Sequence, residues 1–419
     1  TTHQQGLRVR VLAASETHAT AAVRYFRSHV NCSTVVVLLR QGEPLVCPHG
    51  SVIVHRRSST VGTANKQEVQ GTQGAGGMTS TRRDNEYDVI VCGLGAMGAA
   101  TAYHLAKRGI KVLGLEQSRI AHDRGSSHGL SRIIRKAYFE HPSYVPLLEE
   151  SYRLWQVLEA EVGAELLTVT GSLEISDPAG ALDLVRCSTA AAELHGLPYE
   201  VLTGAEVNAR FPGYCLPEHF SAFYQPDSGI LAAEDCVSAH AAVARQHGAR
   251  LLEGVRLAAW RVLPSGGVAV TCADGSTFEA RKLVLCSGPW IAQQVPELQE
   301  VAVPERQVVG WFPHRSAAHF SPAAFPVFIL DDAEATYYGF PEFRSPGCMK
   351  LGRFGHLREV IRPQELGEAV TEEDVKVMRR ALERYFPSVS REPERCMFTN
   401  SIDSDFILDR HPQHPEQVL

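Results

Sequence analysis

Three glycines, Gly93, Gly95 and Gly98, close the short apolar run Asp88–Cys92 and open a helical pattern. At that spacing the first glycine permits a tight turn and the second lets a backbone approach a pyrophosphate. The third lets helix and strand pack closely. The N-terminus of the helix then offers N–H groups and the positive end of a dipole to phosphate oxygens. Glu116 follows a second apolar run, Lys111–Leu115, where a carboxylate can accept from both hydroxyls of a ribose. Strand, turn, helix, strand and acid in that order predict a dinucleotide site, although the motif alone does not separate NAD from FAD. His128 and Arg132 lie in a basic segment directly after this unit, which is either functional or a solvated loop, and Arg135 beyond them is either functional or held in a structural ion pair. Lys350 stands in the strand-like run Cys348–Leu351, where an unpaired lysine would be costly to bury. Cys396 is followed by a polar and aromatic stretch, so a partly accessible thiol is expected there.

The elements that must hold these residues are legible in outline. Met97–Arg108 reads as a helix with Ala and Leu facing a sheet and Gly109 as its cap. Tyr144–Gly163 and Ala232–His247 read as amphipathic helices, the second capped by Gly248. Arg250–Leu252, Val268–Cys272 and Lys282–Cys286 read as strands, residues 300–355 as alternating strands, and Glu372–Tyr385 as a helix. The pattern is a nucleotide-binding domain into which a mixed-sheet domain is inserted.

A chain of 419 residues with 44% hydrophobic composition can bury one or two sizeable cores. A formal net charge of −6 gives no reason to expect a nucleic-acid partner. No window approaches the roughly 18 uninterrupted apolar residues of a membrane span, so a soluble protein is expected. The 10 cysteines are scattered without a CxxC, and Cys92, Cys272 and Cys286 lie in apolar runs. That pattern suits reduced thiols in an intracellular compartment, and no metal site is expected. Residues 1–77 are rich in Ser, Thr, Arg and Gln, with Glu16, Glu43 and Glu68 as their acids, and 58–83 resemble a disordered linker. Such a stretch suits a transit peptide or sequence upstream of a natural start at Met78.

The segment Gly125-Ser-Ser-His128-Gly129 through Ser131-Arg132-Ile-Ile-Arg135 resembles one found in the monomeric and peroxisomal sarcosine oxidase family, which includes sarcosine/pipecolate and N-methyltryptophan oxidases. Further similarities are Asp227-Ser-Gly229, Leu283–Trp290, Arg306–Gly310, Tyr337–Pro341, Met349–Gly352, Cys396–Asn400 and Phe406–Pro412, covering Tyr87 to Leu419. The resemblance implies one FAD per chain, attached through a thioether from Cys396, with Gly93, Gly95, Gly98, Glu116, Ser127, His128 and Arg132 at the cofactor. His128 and Arg132 would lie near the isoalloxazine ring, where a cation favours the negative charge gained on reduction. Arg135 would clamp the substrate carboxylate with its guanidinium fork. Lys350 would promote the reaction with oxygen, and Tyr338 would line the pocket. The implied reaction is oxidation of sarcosine, L-pipecolate or a similar secondary amino acid to an imine, with O2 reduced to H2O2. A peroxisomal monomer is implied, with cytoplasm as the other location. A non-covalent FAD amine dehydrogenase or amino-acid oxidase relative, and an inactive flavin-binding scaffold, stay open as alternatives.

Two departures bear on the site. After Lys350 the family reads Tyr-His or His-His, whereas here Leu351-Gly-Arg353-Phe354-Gly-His356 follows. The pocket histidine is therefore replaced by Phe354 or supplied by His356 after a local shift. The family also continues past the position of Leu419 into a glycine-rich segment carrying a second carboxylate-binding lysine, so a C-terminally incomplete chain is expected. The fold class expected is α/β with α+β. It is a Rossmann-like FAD domain with an inserted mixed-sheet substrate domain, in the glutathione-reductase-2 or D-amino-acid-oxidase-like architecture. The expected boundaries are an extension 1–83, FAD-binding parts 84–165, 226–297 and 395–419, and substrate-domain parts 166–225 and 298–394.

Overall fold

The computed structural model describes residues 86–365, 370–392, 395–401, 409–411 and 413–419, with 395–401 described through their backbone. The expectations for the extension and linker fall outside the described residues. In chain order the strands are β1 (Glu86–Cys92), β2 (Val112–Leu115), β3 (Arg132–Ile134), β4 (Leu167–Val169), β5 (Ser172–Ser176) and β6 (Glu200–Thr203). They continue with β7 (Ser221–Gln225), β8 (Gly229–Leu231), β9 (Arg250–Leu252), β10 (Leu257–Val262), β11 (Val268–Cys272) and β12 (Thr277–Leu285). The last six are β13 (Pro304–Pro313), β14 (Val327–Asp331), β15 (Thr336–Phe340), β16 (Cys348–Arg353), β17 (Glu359–Val360) and β18 (Arg395–Ser401). The longer helices are α1 (Ala96–Lys107), α2 (Val145–Val162), α3 (Leu184–His195), α4 (Gly204–Arg210), α5 (Ala233–Gln246) and α6 (Glu372–Tyr385).

A six-stranded sheet runs β10–β11–β12–β1–β2–β9, with β12, β1, β2 and β9 parallel and β10–β11–β12 an antiparallel meander. Central β1 is apolar from Val89 to Cys92 because its two faces are covered, as parallel strands require. One face packs on α1 and α5 through Ala102, Ala106, Ala239, Val243 and Ala244, small side chains that let the helix backbones approach. The other face carries Ile90, Leu113, Val268, Val270 and Leu283. Gly109 and Gly248 sit in the left-handed region beyond α1 and α5, as their capping role predicts.

The second sheet has nine strands among the described residues, in the order β17–β13–β16–β15–β14–β5–β7–β6, with β18 also paired to β13. Its register sorts the side chains onto two faces. Leu173, Ile175, Phe328, Leu330, Tyr337, Met349 and Leu351 point to one side and form the largest core with α6. On the opposite face direct pairing gives one row, Val309, Gly352, Tyr338, Ile329, Glu174 and Phe223. Beside it lies a second row containing Trp311, Lys350, Phe340, Ser172 and Gln225. A three-stranded sheet, β3–β8–β4, rests on this face, with Ile230 packed against Val327 and Phe340. The Rossmann-like and mixed-sheet expectation is met.

Candidate functional site

The turn between β1 and α1 is as tight as its glycines imply. A Cβ on Gly93 would meet the Cys286 carbonyl oxygen at 2.3 Å, and one on Gly98 would meet the Gly93 carbonyl oxygen at 1.8 Å. Gly95 is the N-cap of α1 and gives it no side-chain cap. Ser127 reaches the same point, its Oγ accepting from the Ala96 N–H at 3.0 Å. Glu116 is buried at the end of β2, where its carboxylate accepts from the Leu94 and Ser118 N–H groups at 2.8 and 3.0 Å. Two such bonds leave acceptor capacity on a carboxylate. The cradle, the helix end and the acid fit an FAD pyrophosphate and ribose.

The segment 125–132 crosses from that turn to the nine-stranded sheet. Leu130 adopts φ +65°, a strained value for a branched side chain, directly after Gly129. Two groups hold it there. Glu234, in the first turn of α5, accepts from the Gly129 N–H at 2.7 Å and from the Leu130 N–H. From the other side Lys350 Nζ donates to the Gly129 and Ser131 carbonyls at 2.6 and 3.2 Å and to Ser131 Oγ at 3.1 Å.

Lys350 is buried on interior strand β16, not on an exposed edge. Its ammonium lies 4.6 Å from the Phe340 ring centroid and 5.4 Å from that of Trp311. Burial, with Arg132 adding to it, pushes its pKa well below the usual lysine range. Its hydrogen-bond acceptors among the described residues are neutral oxygens, so no carboxylate is bonded to Nζ. Arg132 donates to the Ser131 and Ser126 carbonyls at 3.1 and 2.5 Å. His128 is buried, and burial followed by repulsion from Arg132 pushes it down to about 4. It is an uncharged imidazole at neutral pH, so of the two residues expected to supply positive charge, Arg132 carries it.

Tyr338 stands one strand from Lys350, with the Phe354 ring packed on it at 4.8 Å between centroids. His356 turns away and is buried against Asp374 of α6, with Nε2 2.9 Å from Oδ1. Arg306 meets the same carboxylate at 2.7 and 2.8 Å. The choice left by the sequence is thereby made: Phe354 takes the place beside Tyr338, and His356 belongs to a structural ion cluster.

Arg135 is buried just after β3, where its NH2 donates to both Glu140 oxygens at 2.8 and 3.0 Å. Its Nε is 3.8 Å from Glu174, and its guanidinium stacks on Tyr138 and Phe139. The fork that the resemblance reserves for a substrate carboxylate is engaged by protein carboxylates in this structure. Sequence reading passed over Glu140, Glu174, Ser131 and Glu234. Glu140 is only five residues from Arg135, but no local rule marks it as a partner. Cys396 lies in β18, whose described backbone pairs Cys396 with Gly310 of β13, the strand next to that of Lys350.

Among the described residues no group of His, Cys, Asp or Glu side chains could hold a metal ion, and no helix is long and apolar enough to cross a membrane. The model of the family "FAD dependent oxidoreductase" matches residues 88–419. A monomeric sarcosine oxidase of Streptomyces avermitilis is 37% identical over 337 residues, covering 79% of this chain and 87% of the relative. The human peroxisomal sarcosine oxidase is 32% identical over 345 residues, covering 80% and 86%. Among solved structures the open form of NikD, an amino acid oxidase of nikkomycin biosynthesis, superposes with a TM-score of 0.69 at 24% identity, covering 80% and 88%.

Proposed function

The chain belongs to the FAD-dependent oxidoreductase family, and from that membership we propose that it oxidises the C–N bond of a secondary amino acid such as sarcosine or pipecolate. The observation that carries this reading is Lys350. It is a buried lysine on the face that also presents Tyr338, its Nζ bonded to neutral oxygens of the turn that begins at the dinucleotide cradle. FAD, when bound, takes two electrons from the substrate and passes them to O2, giving H2O2. The protein's share is to hold, dry and charge the surroundings. Gly93, Gly95, Gly98, Glu116 and Ser127 receive the pyrophosphate and ribose. His128 and Arg132 line the ring. Lys350 stabilises the negative charge that forms on oxygen, an effect strengthened by its exclusion from water. Arg135 receives the substrate carboxylate in exchange for Glu140, which holds its NH2 in this structure, and Tyr338 with Phe354 forms an aromatic wall for the remainder.

Cys396 is proposed as the covalent attachment point. The position of its backbone, two strands from Lys350 in the order β18–β13–β16, supports that reading. A monomer acting in the peroxisome is the corresponding proposal for assembly and location, supported by the resemblance to the peroxisomal type. The test is peroxide formation together with anaerobic bleaching of the flavin by sarcosine and by L-pipecolate. A flavin-loaded protein that no secondary amino acid bleaches would refute the proposal.

A further inference from the structure

The face of the nine-stranded sheet that carries Tyr338 and Lys350 also carries an acid the flavin site does not require. Glu174 of β5 is opposite Ile329 of β14, which is itself opposite Tyr338 of β15. Two interstrand steps of about 4.8 Å therefore separate it from the aromatic wall. Glu174 is 1% exposed, yet its Oε2 has no hydrogen-bond partner among the described residues. The Gln225 Nε2, on the same face of the adjoining strand and fully buried, has none among them either. Buried polar atoms are rarely left unpaired, and two on one face mark a place where a polar guest belongs. The other Glu174 oxygen is 3.8 Å from Arg135 Nε and 3.4 Å from Ser172 Oγ.

We propose that Glu174 Oε2 accepts the proton that a substrate ammonium must shed before its C–N bond can be oxidised. The inference rests on the amine-oxidase reading and on a substrate carboxylate docking beside Arg135. An α-amino nitrogen two bonds from such a carboxylate comes within reach of the acid next to that arginine. In the step an N–H bond breaks, an O–H bond forms on Oε2, and the electron pair stays on nitrogen, where it assists loss of hydride equivalents from the adjacent carbon. No other reactant is required.

The charged and titratable groups that face Glu174 are Arg135 and Glu140 from the segment after β3 and Tyr152 from α2. Lys136 and Asp227, ion-paired beside Tyr152, complete the set among the described residues. The neighbouring strands offer it Gln225, Phe223 and Ile329, none charged. Burial pushes the Glu174 carboxyl up to about 7, with Arg135 opposing and Glu140 assisting. A base poised near the working pH is the effective kind.

The experiment compares the holoenzyme with its Glu174→Gln variant in anaerobic flavin reduction by sarcosine and L-pipecolate across pH. The wild type should lose rate as pH falls through about 7, because protonated Glu174 cannot accept a proton. Glu174→Gln should be slower by about 100-fold and lack that acid limb. Glu174→Asp should restore the limb in part. Carbon NMR of labelled glutamate should show one carboxyl titrating near neutrality in the wild type and absent from Glu174→Gln. A variant that keeps the acid limb and reduces its flavin within about twofold of wild type would overturn the assignment while leaving amine oxidation intact. A wild type that no secondary amino acid reduces would remove the reading beneath it as well.

Discussion

Replacing Lys350 by Met separates chemistry from stability, because the two respond to different parts of the same environment. The substitution removes three donated hydrogen bonds, to the Gly129 and Ser131 carbonyls and to Ser131 Oγ. Bonds to a charged group contribute about 1.5–3 kcal/mol each when both partners are otherwise satisfied. Against that loss stands the cost of keeping an ammonium buried, the same desolvation that drives its pKa down. Exchanging a buried charge for an apolar side chain of similar volume is often neutral or stabilising by about 1–4 kcal/mol. Methionine fills the volume of the lysine stem with an adaptable chain. The opposed terms leave a net destabilisation of roughly 0.5–8 kcal/mol, read as a shift of the urea midpoint to lower concentration. Oxygen reduction has no such compensation. Loss of a fixed cation from a dry site costs about 3–4 kcal/mol in the barrier, two to three decades in rate. Stopped-flow mixing with substrate under anaerobic conditions, and then of the reduced enzyme with oxygen, separates the half-reactions. Reoxidation should fall two to three decades while reduction changes little. In the wild type reoxidation should also slow as pH rises through the lowered lysine pKa, since the cation is lost on that side, and the Met variant should lack this limb. Equal slowing of both half-reactions would refute the argument, as would a collapse of stability large enough to explain the loss.

Two further outcomes follow from the cofactor cradle. Cys396→Ala should abolish flavin fluorescence that migrates with the denatured chain on a gel, whereas Cys92→Ala and Cys286→Ala should not. Gly95→Ala and Gly98→Ala should part company. A Cβ at Gly95, where φ is −68°, meets only the Ser127 side chain among the described residues, its Oγ at 3.1 Å, so the fold should survive while FAD affinity measured by fluorescence quenching falls. A Cβ at Gly98 collides with the Gly93 carbonyl at 1.8 Å, so that variant should be recovered poorly folded, as seen by circular dichroism.

The contrast between Gly93–Gly98 and Arg135 shows what a linear reading can reach. A glycine turn between strand and helix is local chemistry, legible from the spacing of Gly93, Gly95 and Gly98 alone, although the Cys286 carbonyl and Ser127 Oγ that press on it come from far along the chain. The long helices were legible for the same reason: α1, α2, α5 and α6 each begin and end within two residues of the expected positions. Strands β3, β4 and β8 are three residues each, too short to show a period. Arg135 is harder still. Its partner Glu174 arrives through strand pairing 39 positions on, and the unpaired Oε2 exists only because of that register. Lys350 was marked by its chemistry, a charge in an apolar run, but its acceptors at Gly129 and Ser131 could not be read from the neighbourhood of either segment. The fate of His356 turned on Asp374, whose place at the third position of α6 also closes a capping box with Thr371.

The bonds from Lys350 to Gly129 and Ser131 span 221 and 219 residues, and those from Glu234 to Gly129 and Leu130 span 105 and 104. A chain made from its amino end exposes the 125–132 segment long before either clamp exists. Leu130 has no reason to hold its left-handed conformation until α5 has formed, and the second clamp waits for β16. The glycine turn and Glu116 of the pyrophosphate cradle lie within one β-α-β unit and are made early, although Cys286, which packs against Gly93, comes later. Capture of the cofactor is therefore divided in time: the nucleotide end can be gripped during synthesis, and the ring end only when the nine-stranded sheet closes. Contacts of such long span also slow folding, since loop-closure entropy is lost before they form. FAD held by its nucleotide end would then act as a scaffold on which the later half of the chain arranges itself, and its supply during biogenesis would govern the yield of folded protein.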